Sequence, residues 1–126
     1  RRAGCDGIIA TNTTVERPDN FSKSEEKIFA ETGGLSGAPL AKRSTDMIHQ
    51  IYSMTNGEWP IVGVGGIQSA DDAWEKIGAG ASLLQAYSGF VFEGAGLTRS
   101  TINGLDKQMK EEGYSTLQEA IGFAHQ

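Results

Sequence analysis

Apolar residues along this chain follow two different patterns. Asp6-Gly7-Ile8-Ile9-Ala10-Thr11 carries a short apolar core without the alternation of a half-exposed strand, which predicts a buried strand closed by the polar run Asn12-Thr13-Thr14. Ile61-Val62-Gly63-Val64 predicts a second strand that runs into Gly65-Gly66, and Ser82-Leu83-Leu84-Gln85-Ala86-Tyr87 predicts a third. Between them the spacing turns helical. Met47, Ile48, Ile51 and Tyr52 form one stripe, predicting a helix of about three turns that ends near Asn56-Gly57. Ser69 with Asp71 and Asp72 reads as an N-cap with carboxylates in the first turn, and Ala70, Ala73, Trp74 and Ile77 share the buried face of a helix closed by Gly78 or Gly80. After the region from Gly89 to Gly96, Leu97, Ile102, Leu105 and Met109 predict another amphipathic helix, stopped by Gly113. Thr116-Leu117-Gln118-Glu119 has the pattern of a capping box opening a short last helix. From Val15 to Leu40 the chain is polar, punctuated by Pro and Gly and aperiodic, which predicts a long, partly mobile functional loop.

Strand, loop and helix thus recur, and that order predicts an α/β fold with a parallel sheet. A doubly wound sheet would be thin with three strands. A (β/α)8 TIM barrel needs roughly 200 to 250 residues, so the 126 residues here would supply its C-terminal portion, about three βα units. Three units alone leave open sheet edges. The chain also lacks an initiating Met and reaches a strand almost at once, as a piece of a larger barrel would.

Composition narrows the chemistry. A net charge of -5 leaves no general basic surface to gather nucleic acid, so an anionic ligand has to be held locally. The single Cys5, with only His49 and His125 for company, gives neither a disulfide framework nor metal-ligand spacing. No apolar run reaches the ~18 residues of a spanning helix, and the first residues do not form a signal peptide. Trp59, Trp74 and His49 read as packing or helix-surface residues, and Asp71 and Asp72 as capping groups. Glycine is over-used, and its clusters abut the predicted strands.

In barrels of this kind the site lies at the C-terminal ends of the strands, where phosphate is commonly held after the last two. Gly65-Gly66 and Tyr87-Ser88-Gly89 occupy those ends, offering amides without Cβ obstruction and a hydroxyl. An ordinary pair of βα turns would look the same. Asn12 can donate and accept at once, suiting the edge of a planar amide or imide, with Thr13 adding a hydroxyl; a polar turn is the alternative. Gly37 in "GGLSGAPL" would let backbone lie against a flat ring.

Taken in order, "TNTT", "ETGGLSGAPL", "IVGVGGI" and "AGASLLQAYSGFVF" resemble the C-terminal half of class 2, quinone-dependent dihydroorotate dehydrogenase, from about Ala3 to near the end. The resemblance implies a single FMN-binding barrel domain of which residues 1–126 are the C-terminal part. It implies oxidation of dihydroorotate to orotate in pyrimidine synthesis, with electrons passing through FMN to ubiquinone. Carried onto matching positions, it implies that Thr11 and Gly37 line the flavin with Ser36 beside them. Gly66, Tyr87 and Ser88 would hold the phosphate end with Gly65 adjoining, and Asn12 and Thr13 would hydrogen-bond the pyrimidine.

No catalytic residue is expected here. The family's serine base, flavin-contacting lysine, further asparagines and the membrane-associating helices at the quinone entrance would lie upstream of Arg1, so the isolated chain is expected to be inactive. "FEGAGL" departs from the family's frequent Gly-Pro-Pro, which affects the quinone approach near Tyr87 and Phe90. The tail "GYSTLQEAIGFAHQ" resembles mitochondrial members, favouring the mitochondrial inner membrane over a bacterial plasma membrane. Two other readings stand beside this one: a class 1-type flavin barrel with a soluble acceptor, and a non-catalytic phosphate-ligand-binding module.

Overall fold

The computed structural model describes residues 4–125; Ala3, where the resemblance begins, lies outside them. Three parallel strands, β1 (Ile8–Ala10), β2 (Ile61–Val64) and β3 (Leu83–Gln85), lie side by side in chain order. A doubly wound sheet reverses strand order at its switch point. This sheet advances in one direction, as a barrel wall does.

Helices cover one face only. α2 (Ala41–Thr55) crosses from β1 to β2 and α3 (Ala70–Gly78) from β2 to β3. Ile48, Ile61, Ala10, Ala79 and Ala81 form the buried core, with Ile51 and Tyr52 packed against it. Fully burying Ile48 or Ile61 contributes roughly 1.5–3 kcal/mol each. The other face carries Ile9, Val62 and Leu83 in register as one apolar row. At its two edges Ile9 is 63% and Leu83 64% exposed. That row would face the interior of a closed barrel, and among the described residues no helix lies over it.

Most predicted boundaries hold within a few residues. β2 matches its prediction, and Asn56 ends α2 in the left-handed conformation. Ser69 caps α3 by accepting the Asp72 N–H at 3.1 Å. Gly113 ends α5 (Gly96–Glu112) with φ 82°. Trp74 packs 5.0 Å from Phe123 in an aromatic cluster with Tyr114.

Several details differ from the prediction. Met47 is exposed, because residue 47 lies at the edge of the stripe rather than beneath it. His49 is on the surface as expected, yet its ring stacks on His125 at 3.7 Å. The last helix, α6 (Leu117–Ala120), has half a capping box: Thr116 makes no side-chain cap, while the Glu119 carboxylate accepts the Ser115 N–H at 2.8 Å. The connection after β3 contains a further helix, α4 (Ser88–Glu93), whose one and a half turns are too short to show a period.

The long stretch from Val15 to Leu40 contains a one-turn helix, α1 (Glu26–Phe29), a bridge between Thr14 and Leu35, and a 3-10 turn, Ala38–Leu40, leading into α2. Its hub is Arg17. The guanidinium donates to the carbonyls of Val15 (3.1 Å), Phe29 (3.0 Å), Glu31 (3.1 Å) and Gly33 (2.9 Å), so one side chain gathers a loop that has little apolar content to hold it.

Candidate functional site

At the C-terminal ends of the three strands lies a cavity of about 300 Å3. All nine residues singled out from sequence line it: Thr11, Asn12, Thr13, Ser36, Gly37, Gly65, Gly66, Tyr87 and Ser88. They come from four separate segments. Leu40, Val64, Ile67, Gln85, Ala86 and Gly89 complete the wall, and among the described residues no charged side chain lines it. A larger cavity, about 560 Å3, lies outside the helical layer by His49, Trp74 and Phe123, away from the strand ends.

Thr11 continues β1 by donating its N–H to the Val64 carbonyl at 2.9 Å, which ties the ends of β1 and β2 together. Its Oγ1 is buried without a hydrogen-bond partner among the described residues. Such a group is costly to leave unpaired in a dry site. Asn12 turns its Oδ1 back to accept the Thr13 N–H at 2.8 Å. This uses one acceptor position of Oδ1, and the amide NH2 donates to no partner among the described residues. Ser36 and Ser88, 52 positions apart, join hydroxyl to hydroxyl at 2.6 Å. Gly37, buried, opens the 3-10 turn. Tyr87, 75% exposed, precedes α4, and Phe90 on that helix is also exposed.

The glycine pair is also required by packing, a cause that neither reading of its sequence included. Gly65 and Gly66 have φ values of 121° and 73°, a region that side chains rarely adopt. A Cβ on Gly66 would lie 2.5 Å from Ala41 Cα, and one on Gly65 would lie 3.0 Å from Leu40 and Ser44. The missing side chains would point into the start of α2, not into the cavity. Glycine is therefore required first by close packing on α2. The consequence is still favourable to an anion, because the Gly65 and Gly66 N–H groups make no hydrogen bond among the described residues and remain available as donors at the cavity.

Lys76 and Arg17 were not singled out from sequence. Lys76 is wholly buried on α3. A signal existed, since residue 76 falls three positions after Ala73 and next to Ile77, on the helix's apolar stripe. Arg17 had no such signal, because its partners are carbonyls spread over a loop with no period. Among the described residues no group of His, Cys, Asp and Glu could hold a metal ion, and no helix is long and apolar enough to cross a membrane.

The sequence model of the family described as dihydroorotate dehydrogenase matches residues 1–109. The dihydroorotate dehydrogenase (quinone) of Trichodesmium erythraeum is 47% identical over 123 residues, covering 94% of this chain and 32% of that protein. That of Acaryochloris marina is 50% identical over 119 residues, covering 92% and 32%. The structure of a ligand-free dihydroorotate dehydrogenase from Eimeria tenella superimposes with a TM-score of 0.90 at 38% identity, covering 99% of this chain and 34% of that one. The same enzyme in complex with ferulenol gives 0.89 at 39%. The chain spans about one third of the length of these relatives. The relatives named are TIM-barrel enzymes, and the present sheet and helices correspond to part of such a barrel. The chain belongs to the dihydroorotate dehydrogenase family.

Proposed function

We propose that residues 1–126 form the C-terminal part of a single FMN-binding barrel domain, and that the full-length protein oxidises dihydroorotate to orotate in pyrimidine synthesis with a quinone as acceptor. The observation that carries this reading is the convergence of nine residues on one cavity, backbone donors on one side and the Asn12–Thr13 amide and hydroxyl on the other. Two features fit FMN in particular. The buried, unpartnered Thr11 hydroxyl suits a ring heteroatom, and the unused Gly65 and Gly66 amides with Ser88 suit a phosphate.

FMN, when bound, supplies the redox chemistry of hydride acceptance. This chain supplies binding and orientation. Gly66, Tyr87 and Ser88, with Gly65 adjoining, hold the phosphate end; Ser36, locked to Ser88, fixes the entry of the loop that brings Gly37 to the flavin. Asn12, its oxygen already engaged, donates from its amide to a pyrimidine carbonyl, and Thr13 adds a hydroxyl. Proton removal from the substrate belongs to a base outside residues 1–126. Quinone use would bring the full-length protein to a membrane. The relatives named above with a quinone activity are bacterial, and they lend no support to a mitochondrial location.

The test uses the full-length protein. It should purify with flavin absorbance and reduce a short-chain ubiquinone in the presence of dihydroorotate, whereas fumarate or NAD should serve poorly. A colourless protein, or one preferring a soluble acceptor, would contradict the proposal.

A further inference from the structure

An anion held in the cavity would meet no cation on its walls, since every described lining side chain is neutral. The missing charge is one layer behind. Lys76, 0% exposed, donates from Nζ to Thr45 Oγ1 at 3.0 Å, Ala41 O at 3.3 Å and Ser44 Oγ at 3.3 Å, all in the first turn of α2. Ser44 Oγ in turn donates to the Val64 carbonyl at 2.5 Å, at the last residue before the glycine pair. Gly66 rests on Ala41 and Gly65 on Ser44. The oxygens that Lys76 gathers therefore belong to the residues that form the floor of the turn.

We propose that Lys76 is the fixed counter-charge of this anion cradle, a positioning residue that acts on the Gly65–Gly66 turn through the first turn of α2. The proposal rests on the phosphate reading above and deepens it.

A wholly buried ammonium needs a reason. Its three partners are neutral oxygens, and no carboxylate lies within ion-pair distance of it among the described residues. It sits at the positive end of the α2 dipole, which disfavours a cation further. Burial pushes Lys76 down to about 8, against the pull of Asp72 and Glu75 on its own helix. The other charged groups on α3 and the elements packed against it are on α3 the exposed Asp71, on α2 the pairs Lys42–Asp46 and Arg43–Glu16 with His49, on α5 Asp106–Lys110 and Lys107–Glu111 with the exposed Arg99 and Glu112, and at the C-terminal turn His125. The ion pairs are solvent-exposed, and β3 carries no charge. A phosphate dianion in the cradle supplies the favourable charge that the empty protein lacks.

Linkage gives the sign. An anion favours the charged form, so Lys76 is raised in the loaded protein, and above about pH 8 the empty protein takes up a proton as the anion binds. Affinity is full below that value and falls as pH rises through it, by up to about tenfold per pH unit until the loaded value is reached. The phosphate itself is already doubly charged over this range, its second pKa being about 6.

The experiment titrates the full-length apoprotein with FMN and with riboflavin, which lacks the phosphate, from roughly pH 7 to 9.5. Wild-type protein and Lys76→Met are compared, a change that removes the charge while Thr45 Oγ1 still donates to Ala41 O and Ser44 Oγ to Val64 O. The expected result is an FMN affinity that falls above pH 8 with a flat riboflavin affinity. In Lys76→Met, FMN affinity drops about tenfold or more at pH 7, riboflavin affinity is kept and the pH slope is gone. Equal losses for the two flavins would reduce Lys76 to packing and overturn the proposal. So would a wild-type FMN affinity that does not change through pH 8, a readout that needs no variant. Equal wild-type affinities for FMN and riboflavin would instead sink the phosphate reading itself.

Discussion

The turns after β1 and β2 stand side by side, joined by the Thr11–Val64 hydrogen bond, yet they are built in opposite ways. The β2 turn has no side chains. It lies on a floor of the buried Leu40 and Ser44 and the half-buried Ala41, secured from behind by Lys76. The β1 turn is made of exposed side chains, Asn12 and Thr13, backed by a loop that Arg17 draws together and whose Gly34 leaves room only for the Thr13 side chain. One end offers rigid backbone donors, suited to a ligand group that stays in place. The other offers side-chain polarity, suited to a ring that must be recognised and released.

Breaking the β2 floor should have the largest effect. Gly66→Val in the full-length protein drives a Cβ into Ala41 at a backbone conformation that disfavours it, for a loss of roughly 2–5 kcal/mol of stability. A lowered melting temperature and a nearly colourless protein are expected. Retained flavin at an unchanged melting temperature would show that the floor is not tight. The β1 turn should respond differently. Asn12→Ala should keep full flavin content while kcat/KM for dihydroorotate falls about tenfold to a hundredfold, the worth of roughly 1–3 kcal/mol in a buried polar contact. Loss of flavin from that variant would erase the division of labour between the two turns. The smallest change is expected from Ser36→Ala, which leaves both turns in place and removes only the bond to Ser88 that ties the long loop to the start of α4. Its loss should weaken FMN binding by a few-fold, on the order of 0.5–1.5 kcal/mol, visible by fluorescence titration, with dihydroorotate kinetics of the loaded enzyme unchanged.

Residues whose neighbours in sequence decide their environment were legible. The apolar run at Ile61–Val64, the stripe from Ile48 to Tyr52 and the Ser69 cap all act within a few positions. The candidate site was legible as a set of motifs at strand ends, and those motifs do meet at one cavity. What sequence could not convey was long-range. That Gly66 answers to Ala41, 25 positions earlier, is a packing fact, and the motif alone left only ligand access or an ordinary turn to choose between. Arg17 binds carbonyls up to 16 positions away, and carbonyls carry no sequence signal. The bare row of Ile9, Val62 and Leu83 reads in sequence as three buried residues, because burial by another part of a barrel and burial by a helix leave the same pattern.

The account turns on backbone donors at the end of β2, so the most direct measurement is a structure of the full-length protein loaded with FMN. It should show a phosphate oxygen within about 3.2 Å of the Gly66 N–H and another at Ser88. A phosphate lodged away from both would contradict the account.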